Sequence, residues 1–284
     1  MDLDELSVER CVALMHQEDR AAVDAVGHAR ETISSFIGAV EPRMRDGGRL
    51  IYLGAGTSGR LGVLDASECP PTFQTDPGLI IGLIAGGDSA LRVSSEAKED
   101  DRDGAHAELT ALALTPNDTV LGIAAGGTTP WVLGGLEHAH TSGALTGLLA
   151  CTDVPERPWL DHRIIVLAGP EIVTGSTRMK AGTATKLVLN TITTTLMVRR
   201  GKVYENLMVD LRATNSKLTD RAARIISIIA DLSRDEALEL LERANGSCKH
   251  AIVMHERGVD HDRAAELLDR SNGYLRDALR PRGT

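Results

Sequence analysis

The stretch from Leu50 to Arg60 reads LIYLGAGTSGR. Four apolar residues in a row fit a strand buried on both faces, and the small and hydroxylated residues that follow fit a turn opening a helix. Backbone N–H groups, the positive end of that helix and the hydroxyls of Thr57 and Ser58 then converge on one point, which is a cradle for phosphate. Gly54, Gly56 and Gly59 also satisfy the dinucleotide pattern G-x-G-x-x-G, whose partner is an acid at the end of the next strand, about 20 residues on. The first acid after that strand is Asp88, 29 positions beyond Gly59. A compact phosphorylated ligand is therefore favoured over a nucleotide, with a purely structural strand-to-helix turn as the competing reading.

Working outward, Leu79–Ala85, Val120–Ala125, Leu145–Ala150 and Ile164–Ala168 repeat the short apolar run and predict four more buried strands. Segments long enough for helices separate most of them, notably Ser89–Asp101 and Pro130–Thr141. That alternation predicts an α/β fold, a five-stranded parallel sheet doubly wound with helices on both faces. From Ser7 to about Arg45 apolar residues recur at three and four, predicting two amphipathic helices ahead of the sheet. From Lys217 onward the pattern is helical, with a capping box at Ser233–Glu236 and a stop at Gly246. The expected division is N-terminal helices over 1–46, an α/β domain with the phosphate cradle over 47–215 and a small helical subdomain over 216–284.

The chain has 284 residues, 42% hydrophobic and 25% charged, which is ordinary globular usage and excludes disorder or a fibrous repeat. A net charge of -9 and 2% aromatic residues argue against nucleic acid, which needs basic surface and stacking rings. The longest uncharged run, Thr119–Leu136, contains five glycines and a proline and predicts no membrane helix. The N-terminal MDLDELSVERCVALMHQEDR is acidic, with no apolar export core, so a cytoplasmic location is expected. Cys11, Cys69, Cys151 and Cys248 are scattered and read as reduced thiols. His138 and His140 lie two apart on a predicted helix and cannot share a face, so no metal site is expected.

Two further loops resemble the first in chemistry. Gly127, Thr128 and Thr129, followed by Pro130, combine flexible backbone, hydroxyls and a proline suited to a first helical turn. Gly175–Thr183 offers Ser176, Arg178 and Lys180, two cations and Ser/Thr caps fit for a sugar phosphate or carboxylate. Glu68 stands just before a predicted Pro70-Pro71 break, whereas Glu96, Glu99, Asp100 and Asp101 read on their own as a solvated helix face.

Taken together, the segments RLIYLGAGTSGRLGVLDASECPPTF, GLIAGGDSAL, GPEIVTGSTRMKAGTATKLVLN and GKVYENLMVDLRATNSKL resemble those of the N-acetylmuramic acid 6-phosphate etherases, lyases built on a sugar isomerase (SIS) domain. The resemblance runs from about Val8 to Leu279. It implies cleavage of the D-lactyl ether of a phosphorylated amino sugar by elimination and hydration, without a cofactor, by a homodimer. It places the catalytic pair on Glu68, as the acid assisting lactate departure, and Glu99, as the base at carbon 2. It places the phosphate loop on Gly56, Thr57, Ser58 and Gly59. The family's second loop usually reads Ser-Gly-Arg-Thr-Pro, where this chain has Gly126-Gly127-Thr128-Thr129-Pro130. A hydroxyl and a guanidinium are thereby lost, each worth about 1.5 to 3 kcal/mol of charged hydrogen bonding. A binding-only sugar-phosphate regulator and a sugar phosphate isomerase on the same fold are the alternatives.

Overall fold

The computed structural model of the chain describes residues 2–93, 96–213 and 215–280. Two amphipathic helices come first, α1 (Val8–His28) and α2 (Arg30–Arg45), with Ser7 capping α1 through the Arg10 N–H. Helix α2 buries Ile33, Phe36, Ile37, Val40 and Met44, the three-and-four spacing read from the sequence. Five strands follow: β1 (Leu50–Gly54), β2 (Ile80–Ile84), β3 (Thr119–Ile123), β4 (Leu145–Ala150) and β5 (His162–Ile165). They form one parallel sheet in the order β2-β1-β3-β4-β5. Strands β1, β3 and β4 are buried along their whole length, which is why their sequences are apolar apart from Thr119 and Thr146.

The strand order reverses between β1 and β3, because the chain goes outward from β1 to β2 and then crosses back to β3. These two strands are direct neighbours, with Gly54 opposite Ile123 at their carboxyl ends. In open parallel sheets ligands bind in the crevice above such a reversal, so the loops after β1 and β3 form its walls.

The connections are α3 (Gly56–Phe73), α4 (Glu96–Glu99), α5 (His106–Ala111), α6 (Pro130–Thr141) and α7 (Lys180–Arg199). Two expectations are corrected here. Ser89–Asp101 is not one helix: it holds a single 3-10 turn at Asp88–Leu91 and the short α4, with Ser94 and Ser95 outside the described residues. Of its few apolar residues, Ala90 is buried and Val93 is 70% exposed, so no stripe exists to hold a longer helix on the sheet. Nor do Pro70 and Pro71 break the chain, since α3 runs through them to Phe73 and the Gln74 N–H returns to the Pro70 carbonyl.

Asp118 fastens the beginnings of β1 and β3. Its carboxylate accepts from Arg49 Nε and Nη2 at 2.9 and 2.8 Å, from the Arg49 N–H at 2.9 Å and from the Thr115 N–H at 2.8 Å. Burial pushes this carboxyl up, but the Arg49 and backbone hydrogen bonds outweigh it and hold the group below its usual range. A carboxylate so depressed stabilises the fold fully above its unfolded value, and the contribution disappears as pH falls through the folded value. Asp118→Ala is expected to cost about 3 kcal/mol at neutral pH, because it leaves Arg49 and two amides without their acceptor. Urea unfolding of both proteins at pH 7 and in acid should show that gap narrowing as the pH drops.

The residues group into two compact units, 1–68 with 77–193 and 69–76 with 194–284. The second contains α8 (Ser216–Ala230), α9 (Arg234–Arg243), α10 (Cys248–Arg257), α11 (His261–Arg270) and α12 (Leu275–Leu279) around a core that includes Ile226, Leu241, Ile252 and Leu268. The Ser233–Glu236 capping box is formed in both directions. Among the described residues no helix is long and apolar enough to cross a membrane.

Candidate active site

The first loop owes its shape to three glycines with different duties. A Cβ on Gly54 would lie 2.6 Å from the Gly59 nitrogen, and one on Gly59 would lie 2.6 Å from the Gly54 carbonyl oxygen, so α3 can leave β1 at once only with glycine at both places. Gly56 has φ +52°, a conformation costly for other residues. The Gly59 N–H bonds back to the Ala55 carbonyl at 3.1 Å, leaving the amides of Gly56, Thr57 and Ser58 at the open end of the helix. All three residues are half-buried, whereas Gly59 is fully buried and serves packing.

Glu99 is placed against this loop. Its Oε1 stands 3.2 Å from where a Gly56 Cβ would be, and the residue is half-buried. The reading of this acidic run as a wholly solvated face is corrected for Glu99, while Lys98 beside it is exposed. A carboxylate there complements the positive end of α3.

In the second loop Gly127, at φ +67°, turns the chain with its N–H on the Ala124 carbonyl at 2.8 Å. A Cβ at this position would lie 2.1 Å from a Val154 methyl. Thr128 is exposed and Thr129 half-buried; the Thr129 hydroxyl makes no capping bond to α6, although Pro130 occupies the first helical position.

The third loop differs from its expected form. The cap of α7 is Glu171 rather than a serine or threonine, its carboxylate accepting the Lys180 N–H at 2.9 Å and the Ala181 N–H at 3.0 Å. A carboxylate satisfies two open amides at once and also complements the helix dipole. Lys180 is buried and its ammonium is paired with Glu18, so it reaches a substrate only by giving up that partner. Ser176 is half-buried and Arg178 exposed. The start of α7 reaches the first loop, with a Thr57 methyl 3.6 Å from where a Gly182 Cβ would be.

Glu68 lies elsewhere. It is exposed on α3, twelve residues beyond Gly56, which is about 18 Å of helix at 1.5 Å per residue. One chain therefore joins Glu99 to the phosphate loop but does not bring Glu68 to it. Glu68 lines instead a pocket of about 230 Å³ with Leu61, Leu64 and Asp65 of α3 and Lys186, Leu189 and Asn190 of α7. Asp65, in the same Asp65–Pro71 segment as Glu68, has no role assigned from the sequence. It is buried and accepts from Tyr52 Oη at 3.0 Å, Asn190 Nδ2 at 2.7 Å and Thr193 Oγ1 at 3.2 Å. Burial pushes its carboxyl above the ordinary range, and these bonds together with the Lys186 charge offset that only in part.

Known proteins share this architecture and much of this sequence. The profile of the glucokinase regulatory protein N-terminal SIS domain matches residues 32–140. The solved phosphoheptose isomerase of Francisella tularensis superposes with a TM-score of 0.50 at 17% identity, covering 68% of this chain and 99% of its own, a likeness of fold alone. An N-acetylmuramic acid 6-phosphate etherase of Parasynechococcus marenigrum (strain WH8102) is 49% identical over 282 residues, which is 99% of this chain and 89% of that protein. The protein of the same name from Caldanaerobacter subterraneus subsp. tengcongensis is 46% identical over 281 residues, 99% of this chain and 92% of its own. Identity at this level over nearly the whole length means that the chain belongs to the N-acetylmuramic acid 6-phosphate etherase family.

Proposed function

We propose that this protein is a lyase that opens the D-lactyl ether of N-acetylmuramic acid 6-phosphate, giving N-acetylglucosamine 6-phosphate and D-lactate. The observation that carries the reading is the Glu99 carboxylate beside Gly56, in the loop whose Gly56, Thr57 and Ser58 amides open α3. Those amides, the Thr57 and Ser58 hydroxyls and those of Thr128 and Thr129 suit the phosphate, while Glu99 takes the proton from carbon 2 of the ring-opened sugar. That proton is acidic because carbon 1 is an aldehyde. The C–H electron pair becomes the carbon 2–carbon 3 double bond as the carbon 3–oxygen bond breaks. The departing oxygen keeps that bond's pair and takes a proton from Glu68. Water then adds hydroxyl at carbon 3 and hydrogen at carbon 2, so the sum is ether plus water giving two alcohols.

Because Glu68 lies about 18 Å along α3 from the loop that Glu99 adjoins, a second copy of the chain supplies it. A two-fold dimer then has two equivalent sites, each with Glu99 from one copy and Glu68 from the other. Turnover in oxygen-18 water tests the chemistry: D-lactate should appear unlabelled and the sugar labelled at carbon 3. Binding of the sugar phosphate without changing it would make the protein a regulator, and its rearrangement without release of lactate would make it an isomerase.

A further inference from the structure

We propose that the groove between α3 and α7 is the seat of the lactyl group, with the Lys186 ammonium holding its carboxylate. The inference rests on the etherase reading and adds to it the part of the site that recognises the leaving group. Leu61, Leu64, Asp65 and Glu68 recur at three, four and seven on α3, and Lys186, Leu189 and Asn190 at three and four on α7, so each set forms one face of its helix. The pocket of about 230 Å³ is smaller than the roughly 300–1,000 Å³ that encloses a whole small molecule, and it suits a fragment of a few heavy atoms.

The lining matches the fragment group by group. A lactyl ether carries a methyl, a carboxylate and the ether oxygen, all on or next to one carbon. Leu61 and Leu64 offer apolar surface for the methyl, above the buried Leu189. Glu68, the acid assigned to the ether oxygen, lines the same pocket. Lys186 is the one cation of the lining, is exposed, and makes no ion pair among the described residues. Its anionic neighbour Asp65 is already served by the donors of Tyr52, Asn190 and Thr193. Burial pushes the Asp65 carboxyl up, and the Lys186 charge offsets that only in part. An ammonium on a flexible stem binds a carboxylate as a point charge and tolerates its departure after cleavage.

The test compares a substrate that carries the lactyl group with the product that lacks it. In Lys186→Met, kcat/KM for D-lactate release should fall about 10- to 100-fold, the range of a lost charged hydrogen bond. Exchange of the carbon 2 proton of N-acetylglucosamine 6-phosphate in heavy water should stay within about two-fold of wild type, since nothing there needs Lys186. Inhibition by added D-lactate should weaken in the same variant, and Lys186→Arg should recover part of the rate. Equal losses in release and exchange, or no loss in either, would overturn the assignment. Failure of the wild-type protein to release any lactate would instead overturn the etherase reading beneath it.

Discussion

Glu99→Gln should slow D-lactate release by about 100- to 10,000-fold, the usual worth of a general base. Glutamine keeps the size and most of the hydrogen bonding of glutamate but cannot accept the carbon 2 proton. The half-buried position of Glu99 beside Gly56 is not part of the hydrophobic core, so thermal unfolding of the variant should match wild type. Incorporation of deuterium at carbon 2 of unreacted substrate in heavy water should disappear with the release rate. A folded Glu99→Gln protein that still released lactate near the wild-type rate would remove this residue from the mechanism.

Glu68→Gln should produce a loss of similar size with a different signature. If Glu68 protonates the departing oxygen, removing that proton leaves carbon 2 deprotonation intact, so deuterium exchange into the substrate should continue while lactate release drops by about 100-fold or more. Glu68 is exposed on α3, and its replacement leaves no buried partner unsatisfied. Loss of exchange in Glu68→Gln together with its survival in Glu99→Gln would exchange the two roles. Survival of both exchange and release would exclude Glu68 altogether.

What could be read without coordinates follows from how local each constraint is. The runs of β1, β3 and β4 were legible because burial on both faces keeps them mostly apolar, with Thr119 and Thr146 the polar positions in them. Strand β5 begins at His162, two residues before its expected start, since an edge strand tolerates His162 and Arg163 where a central one would not. The phosphate loop was legible because its glycines answer to local sterics, a positive φ at Gly56 and contact between Gly54 and Gly59. Glu99 was hidden in an acidic run that looks solvated, and only the fold sets it against Gly56. Glu171 caps α7 from nine residues before Lys180, a spacing no capping pattern contains. The separation of Glu68 from Glu99 was equally invisible, because it depends on the fold setting Glu99 beside Gly56, at the far end of the helix from Glu68.

The claim that each site joins Glu99 of one copy to Glu68 of another is open to direct complementation. Purified Glu68→Gln and Glu99→Gln proteins, each nearly inactive, are mixed in equal amounts, allowed to exchange subunits, and assayed for D-lactate. Random pairing puts half the chains into mixed dimers, each with one site free of substitution, so about a quarter of wild-type activity should return. Activity that stays at the level of the separate variants, with subunit exchange demonstrated, would contradict the shared site.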